Sequence, residues 1–221
     1  QETLIKDTIV QLGYSSQEKV NKNILDKIWQ LIEECWHLAD CHYIYDFIPY
    51  VNNHNGIVQG GNGICIESKK LSFLIKKMSG VEYLCCLAVT IGSELDRKIR
   101  KVNETSMLES FILDALASRI IEAFANILQE RIFESCKSRG LQISARFSPG
   151  YCDWEILTGQ EQIFQVLDPN IINIMVSPTS GLMIPRKSIS AIIIVAQDVP
   201  YQTPCPFCRK KDCDHRRWQA A

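Results

Sequence analysis

The sequence predicts an α+β fold in which helices flank a twisted, mostly antiparallel sheet. Helical patterns and strand-like runs do not alternate along the 221 residues. Helices come first, then one strand, then more helices and finally a group of strands, whereas βαβ units would alternate regularly. The composition changes after Pro200 to proline, cysteine and charge. We therefore predict one elaborate domain over residues 1–200 and a Cys-rich tail over residues 201–221.

Composition and charge exclude several classes of protein. The chain is 46% hydrophobic and 22% charged with a net charge of −1, which does not indicate a nucleic-acid-binding surface. No apolar run is long enough to span a membrane, and the N-terminus lacks the regions of a secretory signal. The ten scattered cysteines do not resemble a secreted disulfide framework. We therefore expect a cytoplasmic protein that binds neither nucleic acid nor membrane.

In the first half of the chain, apolar spacing predicts a helix that starts after Ser15 or Ser16 and ends near Ala39. Residues 41–63 contain proline and four glycines, so we predict a loop with room for one short strand. Ser68 is the predicted cap of a short helix.

From residue 81 the patterns are clearer. Val81–Thr90 is rich in apolar and β-forming residues and is predicted to be a central strand. A helix with an acidic first turn follows Ser93, and Met107–Cys136 is predicted to be a long, largely buried helix. Further strands are predicted at 141–147, 171–176 and 189–196, and a short helix at 160–167.

The segment Arg146–Tyr151 (RFSPGY) is the best candidate for a ligand site. An arginine at the end of a predicted strand precedes a Pro-Gly turn, and glycine lets a ligand approach the main chain. Arginine can bind a carboxylate through two parallel hydrogen bonds, and Tyr151 and Trp154 have flat faces that suit a purine or a sulfonium. Taken alone, the pattern is more typical of an ordinary turn with a surface arginine.

Three separate blocks of sequence resemble the activation domain of vitamin B12-dependent methionine synthase. In that family a helix similar to EAFAxxLxERV precedes an R-x-x-P-G-Y turn, and an M-x-P-x-x-S-x-S segment follows. The corresponding blocks here, in the same order, are Glu122–Arg131, Arg146–Tyr151 and Met183–Ser190. The resemblance covers roughly residues 80–198. Among members of the family, the chain is most similar to the free-standing homologues.

The resemblance implies a binding site for S-adenosylmethionine. In the family, the arginine and tyrosine of the turn and the glutamate of the helix contact this ligand, and they correspond to Arg146, Tyr151 and Glu122. Arg146 would pair with the ligand carboxylate, and Glu122 would accept from an amine or a ribose hydroxyl. Ser148 and Gly150 belong to the same turn and are included in the predicted site. Asp46 is a candidate by chain order alone, because the family also uses an N-terminal aspartate.

The resemblance also implies a function. The family domain presents S-adenosylmethionine to inactive cob(II)alamin, and a flavodoxin- or ferredoxin-like donor supplies the electron that makes cob(I)alamin. The chain is too short to hold the homocysteine, folate and cobalamin modules, so we expect it to act in trans as a methyltransferase-type accessory subunit. Its partner would be a cobalamin-dependent methionine synthase lacking its own activation domain, or another corrinoid methyl carrier. The alternative is a non-catalytic scaffold or redox- or metal-sensing partner that retains the fold without the ligand.

A second group of candidate residues lies in the tail and is not part of the resemblance. Four potential ligands occur within eleven residues, two of them as a CxxC pair, which is a spacing typical of metal sites. Such a set could hold zinc or an iron–sulfur cluster. The alternative is a disordered tail whose cysteines have no partner. The predicted ligands are Cys205, Cys208, Cys213 and His215.

Overall fold

The computed structural model describes residues 2–203 and 205. The α-helices are α1 (Glu2–Gln11), α2 (Lys22–Leu38), α3 (Lys69–Ile75), α4 (Glu94–Asn103), α5 (Met107–Lys137) and α6 (Ile156–Val166). The strands are β1 (His42–His54), β2 (Ile57–Gly60), β3 (Cys65–Glu67), β4 (Ser79–Thr90), β5 (Gln142–Ile143), β6 (Met175–Val176), β7 (Met183–Ile184) and β8 (Ser188–Asp198). Short 3-10 helices occupy Gln17–Lys19, Gly61–Gly63 and Pro169–Ile172.

The larger of two sheets has six strands in the order β3-β2-β1-β4-β8-β5, and every neighbouring pair is antiparallel. The strands β6 and β7 form a separate antiparallel pair. Because helices pack against the sheet and no two neighbouring strands of it are parallel, the predicted α+β class with an antiparallel sheet is confirmed.

Two apolar cores lie on opposite faces of the six-stranded sheet. Along β4, Cys85 and Leu87 face the core built with α1, α2 and α5, whereas Cys86 and Ala88 face the core built with α3 and α6. Successive side chains of a strand point to opposite faces, so a strand covered on both sides is apolar throughout. This explains why the sequence of β4 predicts a central strand so clearly.

The loop predicted for residues 41–63 is wrong, because this segment contains the 13-residue strand β1 and the strand β2. β1 pairs with β4 from His42 to Pro49 and shifts register between Tyr50 and Asn52 before it pairs with β2. Both faces of β1 meet core side chains, so the strand lacks the alternation of apolar and polar residues that would reveal it. Tertiary pairing with β4, rather than local pattern, makes this segment a strand.

Other predicted boundaries shift by a few residues. The first predicted helix starts only at Lys22, where the side chain of Asn21 accepts from the Asn23 N–H at 2.9 Å. The strand predicted at 141–147 is reduced to β5 and an isolated bridge. The strand predicted at 171–176 is reduced to β6, because its first two residues end a 3-10 helix. The cap predicted at Ser68 is confirmed, since its Oγ accepts from the Leu71 N–H at 3.0 Å.

The helix α5 spans 31 residues, yet neither it nor any other helix in the described part of the chain combines the length and apolar character that crossing a bilayer requires.

Candidate functional site

A polar stripe on α5 holds the side chain of Arg146. Glu122, Asn126 and Gln129 follow one another at helical spacing and therefore share one side of α5. The Arg146 guanidinium donates to Glu122 Oε2 at 2.9 Å, to Asn126 Oδ1 at 2.9 Å and to Gln129 Oε1 at 3.0 Å. A buried cation requires such partners, and these three acceptors therefore position the guanidinium.

The ion pair between Arg146 and Glu122 is asymmetric in its exposure. The Arg146 side chain is 3% exposed, whereas the Glu122 side chain is 36% exposed. The predicted surface arginine is therefore buried, and the carboxylate is the part of the pair that solvent reaches. The pair also joins the first two blocks that resemble the methionine synthase domain, across 24 residues of chain.

Backbone hydrogen bonds hold the turn that follows Arg146. Phe147 exchanges hydrogen bonds of 2.8 and 2.9 Å with Ile192 on β8. The Tyr151 N–H donates to the Ser148 carbonyl at 3.0 Å, and the Gly150 N–H donates to the Trp154 carbonyl at 2.8 Å. Ser148 and Tyr151 are half-buried and Gly150 is exposed. The turn is therefore attached to the sheet at Phe147 and closed by its own backbone hydrogen bonds.

Trp154 belongs to the core and does not form a ligand surface. Its side chain is 2% exposed, and its ring stacks on Phe147 with a centroid distance of 5.8 Å. Its Nε1 donates to Gln162 Oε1 at 3.3 Å. Of the two aromatic faces predicted to meet a ligand, that of Trp154 is thus already covered.

The structure does not place Asp46 beside Arg146. Asp46 pairs with Cys86 on β4, Cys86 pairs with Ile192 on β8, and Ile192 bridges to Phe147. Directly opposed residues share a face of a sheet, so Asp46 lies on the same face as Phe147, three strand spacings or about 14 Å away. The side chain of Arg146 points to α5 on the other face. The role of Asp46 as a ligand-binding residue stays a prediction.

The third block of sequence is attached to the same helix. The Lys187 Nζ donates to Asp114 Oδ1 at 2.7 Å and to Ser118 Oγ at 2.9 Å, both on α5. The backbone N–H of Arg186 donates to the buried Asp96 on α4 at 2.6 Å. All three blocks that resemble the methionine synthase domain therefore meet at α5 or its neighbour.

A cleft lies next to the Arg146 site, between α5, β5 and the segment after β8. Its volume is about 470 Å³. No sequence motif predicts this cleft, because the residues that form it are far apart in the chain. The lining residues are Gln129, Glu130, Phe133, Gln142, Ile143 and Gln202.

The buried thiols are poor nucleophiles. Burial, followed by the charge of Glu34, raises the pKa of Cys35 to about 12. Burial together with the charge of Asp46 raises the pKa of Cys86 to about 12. A thiol reacts as its thiolate, so these cysteines stay protonated and inert near neutral pH. The two buried thiols are therefore structural rather than nucleophilic.

We predict that Gly150→Ala destabilises the turn more than Gly140→Ala destabilises the end of α5. Both glycines have a positive φ, +87° and +74°, which costs an alanine about 1 kcal/mol. A Cβ at Gly150 would also lie 2.9 Å from Ile156 Cγ1, whereas a Cβ at Gly140 meets nothing within 4 Å. Urea unfolding of both variants measures the difference, and equal losses of stability would contradict the contact with Ile156.

One of the four predicted metal ligands, Cys205, lies in the described part of the chain. Cys205 is half-buried, and its N–H donates to Thr203 Oγ1 at 3.3 Å. Cys208, Cys213 and His215 lie outside the described residues. Within residues 2–203 and 205, no group of three or more histidine, cysteine or acidic side chains has the arrangement of a metal site. A zinc or iron–sulfur site in the tail stays a prediction.

Comparisons with known proteins agree with the resemblance seen in the sequence. A search of curated proteins found no match. Among solved structures, the chain is similar to one described as the reactivation domain of MetH bound to AdoHcy, with a TM-score of 0.63 and 17% identity over 92% of this chain and 78% of that one. The family model for the vitamin B12-dependent methionine synthase activation domain matches residues 66–203. This chain therefore belongs to the family of vitamin B12-dependent methionine synthase activation domains.

Proposed function

We propose that this chain binds S-adenosylmethionine beside the Arg146–Glu122 pair and assists the reductive methylation of cob(II)alamin on a separate corrinoid protein. The observation that carries the proposal is the ion pair itself. It joins the helix block and the turn block of the family within one half-exposed polar site. The corrinoid partner would be a methionine synthase lacking its own activation domain, or another corrinoid methyl carrier.

The proposed reaction needs one electron and one methyl group. A flavodoxin- or ferredoxin-like protein would transfer one electron to cob(II)alamin and give cob(I)alamin. The reduced cobalt would then attack the methyl carbon of S-adenosylmethionine. The carbon–sulfur bond breaks with its electron pair left on sulfur, so the products are methylcobalamin and S-adenosylhomocysteine.

The residues of this chain would contribute binding and orientation. The exposed side of the Glu122 carboxylate can accept hydrogen bonds from an ammonium group or from hydroxyls. Ser148, Gly150 and Tyr151 form the adjoining turn, in which an exposed glycine permits a ligand to approach the main chain. The Tyr151 ring suits a sulfonium cation. Holding the donor in position before the corrinoid arrives lowers the entropic part of the barrier.

We expect Glu122→Gln to weaken the binding of S-adenosylhomocysteine about tenfold, which corresponds to the loss of about one charge-assisted hydrogen bond. The amide retains an acceptor for Arg146, so the buried guanidinium keeps its partner and the fold survives. Isothermal titration calorimetry on the whole chain measures the change. Glu134→Gln is the matched control, since Glu134 lies on the same helix and forms an exposed pair with Lys137.

The absence of any binding heat with the wild-type chain would contradict the proposal, as would equal affinities of the wild type and Glu122→Gln. The role in trans needs a second assay. A corrinoid protein carrying cob(II)alamin is mixed with this chain, S-adenosylmethionine and a chemical reductant, and methylcobalamin is followed by its absorbance. A rate of methylcobalamin formation that does not change when this chain is left out would contradict the role in trans.

A further inference from the structure

The chain after β8 turns back toward the turn that follows Arg146. The Val199 N–H donates to Gln142 Oε1 at 3.2 Å, and the Ala145 N–H donates to the Gln202 carbonyl at 3.1 Å. These two bonds make the segment run parallel to the residues that lead into Arg146, on the side of β5 that faces away from β8. The part of the chain that follows therefore begins beside the turn.

The strands β6 and β7 expose apolar side chains on one side. Met175 and Ile184 are directly opposed in this antiparallel pair, so their side chains lie next to each other. Leu182 lies two residues before Ile184, and alternate residues of an extended segment face the same side. All three side chains are more than half exposed.

The first residue of α6, Ile156, connects these strands to the turn. A Cβ on Gly181 would lie 3.1 Å from Ile156 Cγ2, and a Cβ on Gly150 would lie 2.9 Å from Ile156 Cγ1. Ile156 is itself 43% exposed. Contiguous exposed apolar groups of this kind mark a surface that another segment or molecule covers. The apolar surface consists of Ile156, Met175, Leu182 and Ile184.

The charge around the apolar surface is of one sign. Residues 147–185, which include the turn, α6 and both strands of the small sheet, contain four acidic residues and no lysine, arginine or histidine. The terminal segment, residues 204–221, has the opposite character, with five basic and two acidic side chains. It also contains Phe207 and Trp218, whose rings are large enough to cover exposed apolar groups. Net charges of −4 and +3 attract each other.

We propose that the terminal segment of this chain docks on the apolar surface and covers the turn beside it. An extended chain spans about 3.3–3.6 Å per residue, so the first few residues after Thr203 are long enough to pass the turn and reach Ile156. The covalent link keeps the segment at a high effective concentration near its docking surface. The segment thereby competes with any other molecule that binds this side of the domain.

Hydrogen–deuterium exchange of the whole chain, followed by mass spectrometry, tests the docking. A chelator and a reductant are included, so that neither a metal ion nor a disulfide orders the segment. We expect the amides of residues 206–221 to exchange at least tenfold more slowly than in a synthetic peptide of the same sequence. Leu182→Lys should abolish most of this protection, because it replaces an exposed leucine with a charge that repels the basic segment.

Val10→Lys is the matched control. Val10 is 58% exposed and lies on α1, which packs on the opposite face of the sheet from α6, so this variant should keep the protection of the wild type. Phe207→Ser is a second test that leaves the apolar surface itself unchanged, and it should also release the segment. Circular dichroism shows whether each variant is folded.

Three results would overturn the proposal. The first is exchange of the terminal segment in the wild type at the rate of the free peptide. The second is protection that persists in both Leu182→Lys and Phe207→Ser. The third is protection that is lost on dilution of the protein, which would assign the segment to the surface of a second copy. Since no ligand is present in this assay, its outcome does not depend on whether the chain binds S-adenosylmethionine.

Discussion

Replacing Arg146 with alanine is expected to lower the free energy of unfolding by about 3 kcal/mol. The guanidinium is 3% exposed on its side chain and donates to three side chains of α5. Its removal leaves a cavity at the edge of the sheet and deprives those acceptors of their donor. Because Glu122 remains partly exposed, water can solvate its carboxylate, so the loss stays below the cost of stranding a fully buried charge.

Urea unfolding of Arg146→Ala and Arg139→Ala gives the comparison. Arg139 also contacts an acid and an aromatic ring, Glu82 at 3.4 Å and Tyr83, but its side chain is 56% exposed. Exposed pairs of this kind contribute about 0–1 kcal/mol. A loss of stability in Arg146→Ala no larger than that in Arg139→Ala would show that the guanidinium is not part of the core. Because Arg146→Ala is expected to be less stable, a loss of ligand affinity in this variant could come from the loss of fold alone. Glu122→Gln is therefore the more suitable variant for testing ligand binding.

The second large effect is expected for Trp154→Ala, which should lower the free energy of unfolding by about 3–5 kcal/mol and the melting temperature by about 10 °C. The ring is 2% exposed, stacks on Phe147 and lies beside Gly159, where a Cβ would approach it to 2.9 Å. This packing joins the turn after Arg146 to α6. Loss of the ring therefore leaves a large cavity under the turn.

Thermal unfolding of Trp154→Ala, Trp154→Phe and Trp36→Ala tests this assignment. Phenylalanine keeps an aromatic ring against Phe147 but loses the hydrogen bond to Gln162, so an intermediate loss is expected. Trp36 lies on α2 and is 44% exposed, and its replacement should cost much less. A stable Trp154→Ala variant that loses only ligand affinity would instead assign the ring to the ligand.

The sequence predicted those helices and strands whose pattern of apolar and polar residues matches the burial that they have in the structure, or whose ends are capped by their own side chains. The strand β4 is apolar on both faces because two cores cover it, and Ser68 caps α3 through its own side chain. The strand β1 was missed for the opposite reason. Its partners on β4 lie 34 to 48 residues away in the chain, and its sequence shows no local alternation of apolar and polar residues.

The candidate site also has parts that the sequence predicts and parts that it does not. Its motif blocks can be recognised from the sequence, and helical spacing by itself puts Glu122, Asn126 and Gln129 on one side of α5. The partner of that polar stripe could not be predicted. A strand-end arginine can point to either face of a sheet, and a difference of one residue in register reverses the choice.

By itself, the sequence determined the α+β class, the central strand, the long helix and the family, since each depends on local spacing or on short blocks of residue types. Only the tertiary structure decided that Arg146 is buried against Glu122, that Trp154 belongs to the core, and that Asp46 faces the other side of the sheet. These facts depend on strand register and on contacts between distant segments. A turn such as RFSPGY carries no information about either, because register and burial are set by the packing of the whole sheet.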